Sequence, residues 1–164
     1  MSPKKDSLRN VFENIKAKDV MVSPVVTVFE DDELSVAEQK FVQHGLYYLP
    51  VINHNQQIVG LISHKYLYKT QSPRKLLSDD MIYAPGRIID GDSFYDEETL
   101  NRYILHGMMR RDPPVLGPDA PLSEVMMRMA REKLSCIVII NAKKEVIGIV
   151  TNQDIVKYLA QAMS

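Results

Sequence analysis

The chain has 164 residues, 45% apolar and 25% charged, enough to bury one compact core or two small ones and too apolar to stay disordered. Twenty basic against 21 acidic residues give a net charge of −1, so no global positive field draws the molecule to nucleic acid or an anionic membrane. Ile137–Ile140 is among the longest purely apolar runs, far short of the ~20 residues that span a bilayer. The opening MSPKKDSLRN lacks the apolar segment of a signal peptide, and the single Cys136 forms neither an intrachain disulfide nor a cysteine-rich metal site. These features predict a soluble, cytoplasmic protein that engages neither nucleic acid nor membrane.

In chain order, Leu8, Val11, Phe12 and Ile15 follow Ser7 at helical spacing and predict an amphipathic helix within an N-terminal extension, residues 1–16. Val25–Val28, after Pro24, reads as a short strand. Asp31 or Asp32 suits the N-cap of a helix with Leu34, Ala37, Phe41 and Val42 on its apolar face, and Gly45 suits its C-terminal stop. Tyr48–Ile52 and Ile58–Ile62 are predicted strands joined by the turn-forming Asn53-His54-Asn55-Gln56, and Ser63 heads a short helix through Tyr68. Residues 71–99 form a connector, its 71–95 stretch broken by Ser72-Pro73, Pro85-Gly86 and Asp90-Gly91-Asp92-Ser93. Leu100, Tyr103, Ile104 and Met108 then predict a second leading helix. Val115-Leu116, a helix with Leu122, Val125, Met126 and Met129, strands Cys136–Ile140 and Val146–Val150, and a helix from Thr151 complete the chain. The strands are apolar on both faces, as in a sheet covered by helices.

The two halves are copies. Sliding the sequence by 88 residues superposes 19–70 on the second half without a gap: Met21 on Met109, Leu34-Ser35 on Leu122-Ser123, Ile52-Asn53 on Ile140-Asn141, Gly60 on Gly148. Identities are nine over 52 positions, but the apolar class persists throughout, as in Val51/Ile139, Val59/Ile147 and Leu67/Ile155. The predicted fold is α+β (mixed α/β), with two β-α-β-β-α repeats at 17–70 and 100–164 and an N-terminal helix before them.

The segments DVMVSPVVTV, LPVIN and IVGLIS in the first repeat, and MMRRDPPVL, CIVIIN and VIGIVTNQD in the second, resemble a tandem pair of cystathionine-β-synthase (CBS) domains, often called a Bateman module. The most specific element is the Gly-apolar-x-Ser/Thr-x-x-Asp/Asn signature, intact in the second repeat from Gly148 to Asp154. The resemblance implies two repeats packed with approximate two-fold symmetry and two clefts for AMP, ADP, ATP or S-adenosylmethionine as regulatory ligands. It further implies a sensor and not an enzyme, with no required cofactor, a homodimer, and in many cases a protein partner. By the same analogy the adenine slot lies between Asp112-Pro113-Pro114 and Ser135-Cys136-Ile137.

The residues themselves support a site in the second repeat. A helix beginning at Thr151 presents free N–H groups and a favourable dipole to a phosphate, and the Thr151 hydroxyl adds a donor. Asp154, at the same helix end, could accept hydrogen bonds from both hydroxyls of a ribose. The alternative is a capping box, in which Thr151 and Asp154 satisfy backbone donors and nothing else. In the first repeat Ser63 is kept but Tyr66 replaces the acid, so the first cleft, with Tyr47 and Tyr48 at the adenine positions, is expected to be empty or to hold something other than a ribose. Arg110, Arg111, Arg131 and Lys133 are candidate phosphate contacts or plain solvated charges, and their scarcity favours one phosphate or none. The alternative function is a ligand-free dimerisation or interaction module.

Other features carry less. His44, His54, His64 and His106 stand ten or more residues apart, without zinc-ligand spacing. Asp90, Asp92 and Asp96 lack the ligand order of a calcium loop. Met126 and Met129 are expected in the core, and Cys136 is expected to be buried and inert. No nucleophile set, P-loop or dinucleotide glycine pattern is present.

Overall fold

The computed structural model describes residues 3–65, 87–90, 93–96 and 109–163. Helices α1 (Pro3–Asn14) and α2 (Ala17–Val20) lead into β1 (Val28–Phe29), α3 (Leu34–His44), β2 (Tyr48–Ile52) and β3 (Ile58–Ser63). A hairpin, β4 (Arg87–Asp90) with β5 (Ser93–Asp96), interrupts the connector. The second repeat runs β6 (Val115–Leu116), α4 (Leu122–Glu132), β7 (Cys136–Ile140), β8 (Val146–Thr151) and α5 (Asn152–Ala162). The repeats build two three-stranded sheets, ordered β1-β2-β3 and β6-β7-β8. In the second, β6 lies parallel to β7 with Val115 opposite Val138, and β7 antiparallel to β8 with Cys136 opposite Thr151.

Among the described residues the predicted elements appear with small shifts and one correction. Neither Asp31 nor Asp32 caps α3: the N-cap is Glu33, without a side-chain cap bond. Asp32 instead turns back, its Oδ2 accepting the Phe29 N–H at 2.8 Å, which closes the turn ahead of the helix. The strand expected at Val25–Val28 is confined to Val28–Phe29. Gly45 ends α3 at φ 61° with its N–H donating to Phe41 O. Lys133 holds the same left-handed place after α4, at φ 53°, where a Cβ makes the conformation costlier than for glycine. The helix expected through Tyr68, the helix with Leu100, Tyr103, Ile104 and Met108, and the rest of the 71–99 connector lie outside the described residues.

The duplication extends to individual hydrogen bonds. Leu46 N–H donates to Phe41 O at 3.1 Å, and 88 residues on Leu134 N–H donates to Met129 O at 2.9 Å. The Oδ1 of Asn53 accepts the N–H groups of Asn55 and Gln57, as that of Asn141 accepts those of Lys143 and Glu145, so each hairpin is closed by the same Asx turn.

The chain divides into two compact units that cut across the repeats: Met1–Val26, Ile52–Val59 and Asp112–Ser164 form one, Thr27–Val51 and Gly60–Arg111 the other. The core of the first combines Ala17 and Val20 with Leu122, Val125, Met129, Ile137, Ile139, Val150 and Ile155, and Phe12, Ile15 and Met21 pack against it. Backbone bonds join Leu122 N–H to Ile15 O (2.8 Å) and Ala17 N–H to Ala120 O (2.8 Å), while Val22 and Ile149 exchange bonds of 2.9 and 3.2 Å. In the other unit Leu61 and Arg110 exchange the equivalent pair, at 3.0 and 2.9 Å. The opening segment of each repeat therefore pairs with the last strand of the other. A glycine marks each crossing, Gly148 under Met21 and Gly60 under Met109.

Lys18 Nζ and Asp119 Oδ1 meet at 2.7 Å on the surface of the first unit. The hydrogen bond from the ammonium, reinforced by its charge, holds the Asp119 carboxyl below the ordinary aspartate range. A depressed folded-state value contributes stability above the unfolded value, and that contribution disappears as pH falls through the folded one. NMR titration is expected to find Asp119 titrating at lower pH than in the Lys18→Ala variant, with the difference shrinking in high salt.

Candidate ligand site in the second repeat

Thr151 ends β8 in extended conformation, φ −109° and ψ 165°, and α5 starts at the next residue. Its ladder partner is Cys136, and Asn152 N–H donates to Ser135 O at 3.2 Å, so the strand end, the helix start and the Ser135-Cys136 segment are held at one place. Asp154 reaches back across the first turn. Its Oδ2 accepts the Thr151 N–H at 2.8 Å and the Thr151 hydroxyl at 2.6 Å, and its own N–H donates to Thr151 Oγ1 at 3.3 Å. The capping box is thus present. Both side-chain bonds land on Oδ2, and among the described residues no hydrogen bond reaches Oδ1. The box fixes a half-buried carboxylate and leaves one oxygen, with two lone pairs, for an external donor.

Asp112-Pro113-Pro114 leads into β6. Pro114 O accepts Val138 N–H at 2.9 Å, and the parallel register of β6 and β7 carries the prolines alongside Cys136 and Ile137. Asp112 and Ser135 are exposed, Pro113 is half-buried and Pro114 buried. Cys136 and Ile137 are 2% and 0% exposed, so their side chains belong to the core and only backbone groups there could meet a ligand. Of the two core methionines, Met129 is buried and Met126 packs against the core, while Met127 is exposed. Lys133 is exposed at its left-handed position, and Arg131 is engaged with Glu132 at 3.2 Å. The hydrogen bond from Arg131, then that from Arg128, lowers the Glu132 carboxyl below the ordinary glutamate range. Among the described residues no cluster of three His, Cys, Asp or Glu side chains could hold a metal.

In the other unit, Ser63 Oγ accepts Lys65 N–H at 3.3 Å. Tyr47 is exposed and Tyr48 half-buried. Tyr47 O accepts His64 N–H at 2.9 Å, the counterpart of the Ser135–Asn152 bond. Arg110 belongs to this unit through its backbone pairing with Leu61, and Arg111 is exposed beside it. His64, which the sequence offers only as a histidine without zinc-ligand spacing, has its ring edge-on to Tyr47 at 6.3 Å and to Phe41 at 5.3 Å. The available signal is its position directly after Ser63, at the first residue of the next helix. Tyr66 lies outside the described residues.

An apolar groove of about 470 Å³ runs between α4 and α5, lined by Met126, Ala130, Leu134, Ile155 and Val156. Neither Thr151 nor Asp154 lines it.

The model of the CBS domain matches twice, at residues 17–72 and 105–161. The chain belongs to the CBS-domain family, as a tandem pair. Among solved structures, the CBS domain of a CBS-domain-containing membrane protein from Sphaerobacter thermophilus superposes with a TM-score of 0.70 at 23% identity, covering 94% of this chain and 93% of that one. The CBS-domain pair of protein MJ0100, solved in complex with 5′-methylthioadenosine and S-adenosyl-L-methionine, superposes with a TM-score of 0.67 at 18% identity, covering 90% of this chain and 98% of that one. A homoserine O-acetyltransferase of Methanococcoides burtonii is 25% identical over 148 residues, 90% of this chain and 25% of the relative. The chain spans about a quarter of the length of the first curated relatives it matches, 25%, 23% and 22%. No helix among the described residues is long and apolar enough to cross a membrane.

Proposed function

We propose that this CBS pair is a regulatory sensor of an adenosine-type ligand, taken up mainly by the second repeat. The observation that carries the reading is the Thr151–Asp154 box, which presents an oriented carboxylate oxygen beside the first turn of an 11-residue helix. Asp154 would accept from the ribose hydroxyls while the Thr151 hydroxyl, donating to its Oδ2, holds the carboxylate in place, and the positive end of the α5 dipole would favour a phosphate on the same ligand. Asp112, Pro113 and Pro114 on one side and the backbone of Ser135, Cys136 and Ile137 on the other would flank adenine. The bound adenosine ligands of MJ0100, a pair of the same fold, support this ligand class. The first cleft, with Ser63, Tyr47, Tyr48 and Tyr66, takes no ribose and stays empty or holds a ligand of another kind, so one adenosine-type ligand binds per chain. The module is not a catalyst and requires no cofactor. It acts in the cytoplasm as a homodimer, passing occupancy to a protein partner through two states of different ligand affinity.

A thermal-shift panel of AMP, ADP, ATP, adenosine, 5′-methylthioadenosine and S-adenosylmethionine tests the reading. A ligand at about a hundred times its dissociation constant adds about 2.7 kcal/mol of stability, several degrees in Tm for a chain of this size. The shift is expected to vanish in Asp154→Ala, which also loses about 1 kcal/mol with its cap. Asp154→Asn keeps an acceptor for the Thr151 N–H but not the anionic oxygen, and is expected to retain the fold while losing the shift. No shift with any ligand would leave the box as a cap and make the pair a ligand-free interaction module.

A further inference from the structure

The segment flanking the proposed adenine slot has few backbone bonds to hold it. Strand β6 is two residues long, and Pro113 and Pro114 have no N–H to donate. A side chain from the helix makes up the difference. Arg128 Nη1 donates to Val115 O at 2.6 Å, while its Nε donates to Glu132 Oε1 at 3.1 Å, one turn further along α4. Pro114 O is taken by Val138 N–H at 2.9 Å, so the two carbonyls that follow Pro113 are tied to different elements, one to β7 and one to α4.

The same device occurs 88 residues earlier. Lys40 Nζ donates to Thr27 O at 2.7 Å, again a cation on the central helix reaching 13 residues back to the chain entering a two-residue strand. The copies differ in chemistry. A lysine ammonium is a single pivoting donor on a flexible stem, whereas the planar guanidinium donates along fixed directions to the carbonyl and to Glu132 together. Glu132 Oε1 also accepts from Arg131 Nη2 at 3.2 Å, a second bond that steadies the anchor. The more rigid clamp therefore stands in the repeat that carries the Thr151–Asp154 box.

We infer that Arg128 is a positioning residue: by clamping Val115 O to α4 it holds Asp112-Pro113-Pro114 against β7 at the spacing an adenine ring needs. This rests on the ligand reading above and adds a residue that touches no ligand. Loss of a charge-assisted bond at a half-buried site is expected to weaken binding about tenfold through the entropy of an unclamped segment.

Two measurements on the full chain, with AMP as the probe, test it. In the unliganded protein, exchange of the Val138 amide, whose acceptor is Pro114 O, is expected to quicken about tenfold in Arg128→Met, while exchange in the β7–β8 ladder, for example at Val150, stays unchanged. Calorimetry below the unfolding temperature is expected to show AMP bound about tenfold more weakly by Arg128→Met and within about threefold of wild type by Arg128→Lys, since Lys40 spans the same gap. A purely stabilising role would lower Tm yet leave the Val138 amide and the affinity alike unmoved, and that result overturns the inference. So does wild-type affinity in Arg128→Met. A wild type that binds no AMP, S-adenosylmethionine or other member of the panel removes the ligand site itself, and the positioning role falls with it whatever the Val138 amide does.

Discussion

Replacing Phe41 by Ala is expected to lower the free energy of unfolding by about 3–5 kcal/mol, the range for deleting a buried phenyl ring. The side chain is 1% exposed, on the inner face of α3 with Leu34 and Ala37, and the His64 ring meets it edge-on at 5.3 Å and 77°. Truncation removes that contact along with the apolar burial, and the αL turn at Gly45, tied to Phe41 O, limits how far the helix can settle into the space. At ~2–4 °C per kcal/mol for a chain of this size, Tm should fall by roughly 10 °C. The internal repeat provides the control. Met129 occupies the equivalent place in the second copy and is also buried, so Phe41→Met is expected to cost no more than about 1.5 kcal/mol. Urea unfolding with an unchanged m-value checks both numbers, and a cost below about 1 kcal/mol for Phe41→Ala would mean that the ring does not fill the core of its unit.

Why so much of this fold is readable follows from the residues that carry it. Strands such as Cys136–Ile140 are apolar without interruption and β-branched from Ile137 on, bounded on one side by an Asx turn at Asn141, and local chemistry of that kind decides an element by itself. The Thr151–Asp154 spacing likewise announces both a helix start and a carboxylate beside it. What the sequence hides is non-local. Nothing in DVMVSP says that Val22 pairs with Ile149 and not with its own repeat, because periodicity reports neighbours along the chain and this contact spans most of its length. Asp32 is ambiguous for a local reason instead: a side chain able to cap the following helix takes the preceding Phe29 N–H, and the two short-range bonds look alike from composition. The β4–β5 hairpin is hard to tell from a plain loop although Gly91-Asp92 between Ile88-Ile89 and Phe94-Tyr95 is a two-residue hairpin signal, since four-residue strands leave little periodicity to detect. The Arg128 clamp is hidden more deeply, for an arginine on a helix face is usually a solvated charge.

The exchanged leading segments give the second large effect. A Cβ built on Gly148 would lie 2.8 Å from Met21 Cγ and 3.0 Å from Met21 Cβ, with Met21 Sδ closer still, so this glycine is required by close approach and not by its backbone angles. The tip of a methionine can swing away, but its Cβ is fixed to a backbone that exchanges hydrogen bonds with Ile149 through the next residue, Val22. Gly148→Val is therefore expected to cost about 1–3 kcal/mol of overpacking and to loosen that pairing, read as faster amide exchange at Val22. Gly148→Ala alone should cost less, and adding Met21→Ala should recover part of the loss, a coupling that two independent sites would not show. At Gly60 the same substitution meets Met109 Cγ at 2.8 Å and also Arg110 O at 3.1 Å, a backbone atom with no rotamer to escape into, so Gly60→Ala should be rescued less by Met109→Ala. Additive costs at Gly148 and Met21, with an unchanged Val22 amide, would place Met21 elsewhere than over β8. Rescue would tie the entry of the first repeat to the strand that ends, three residues after Gly148, at Thr151, so that anything displacing the leading segment also disturbs the carboxylate proposed to hold the ligand.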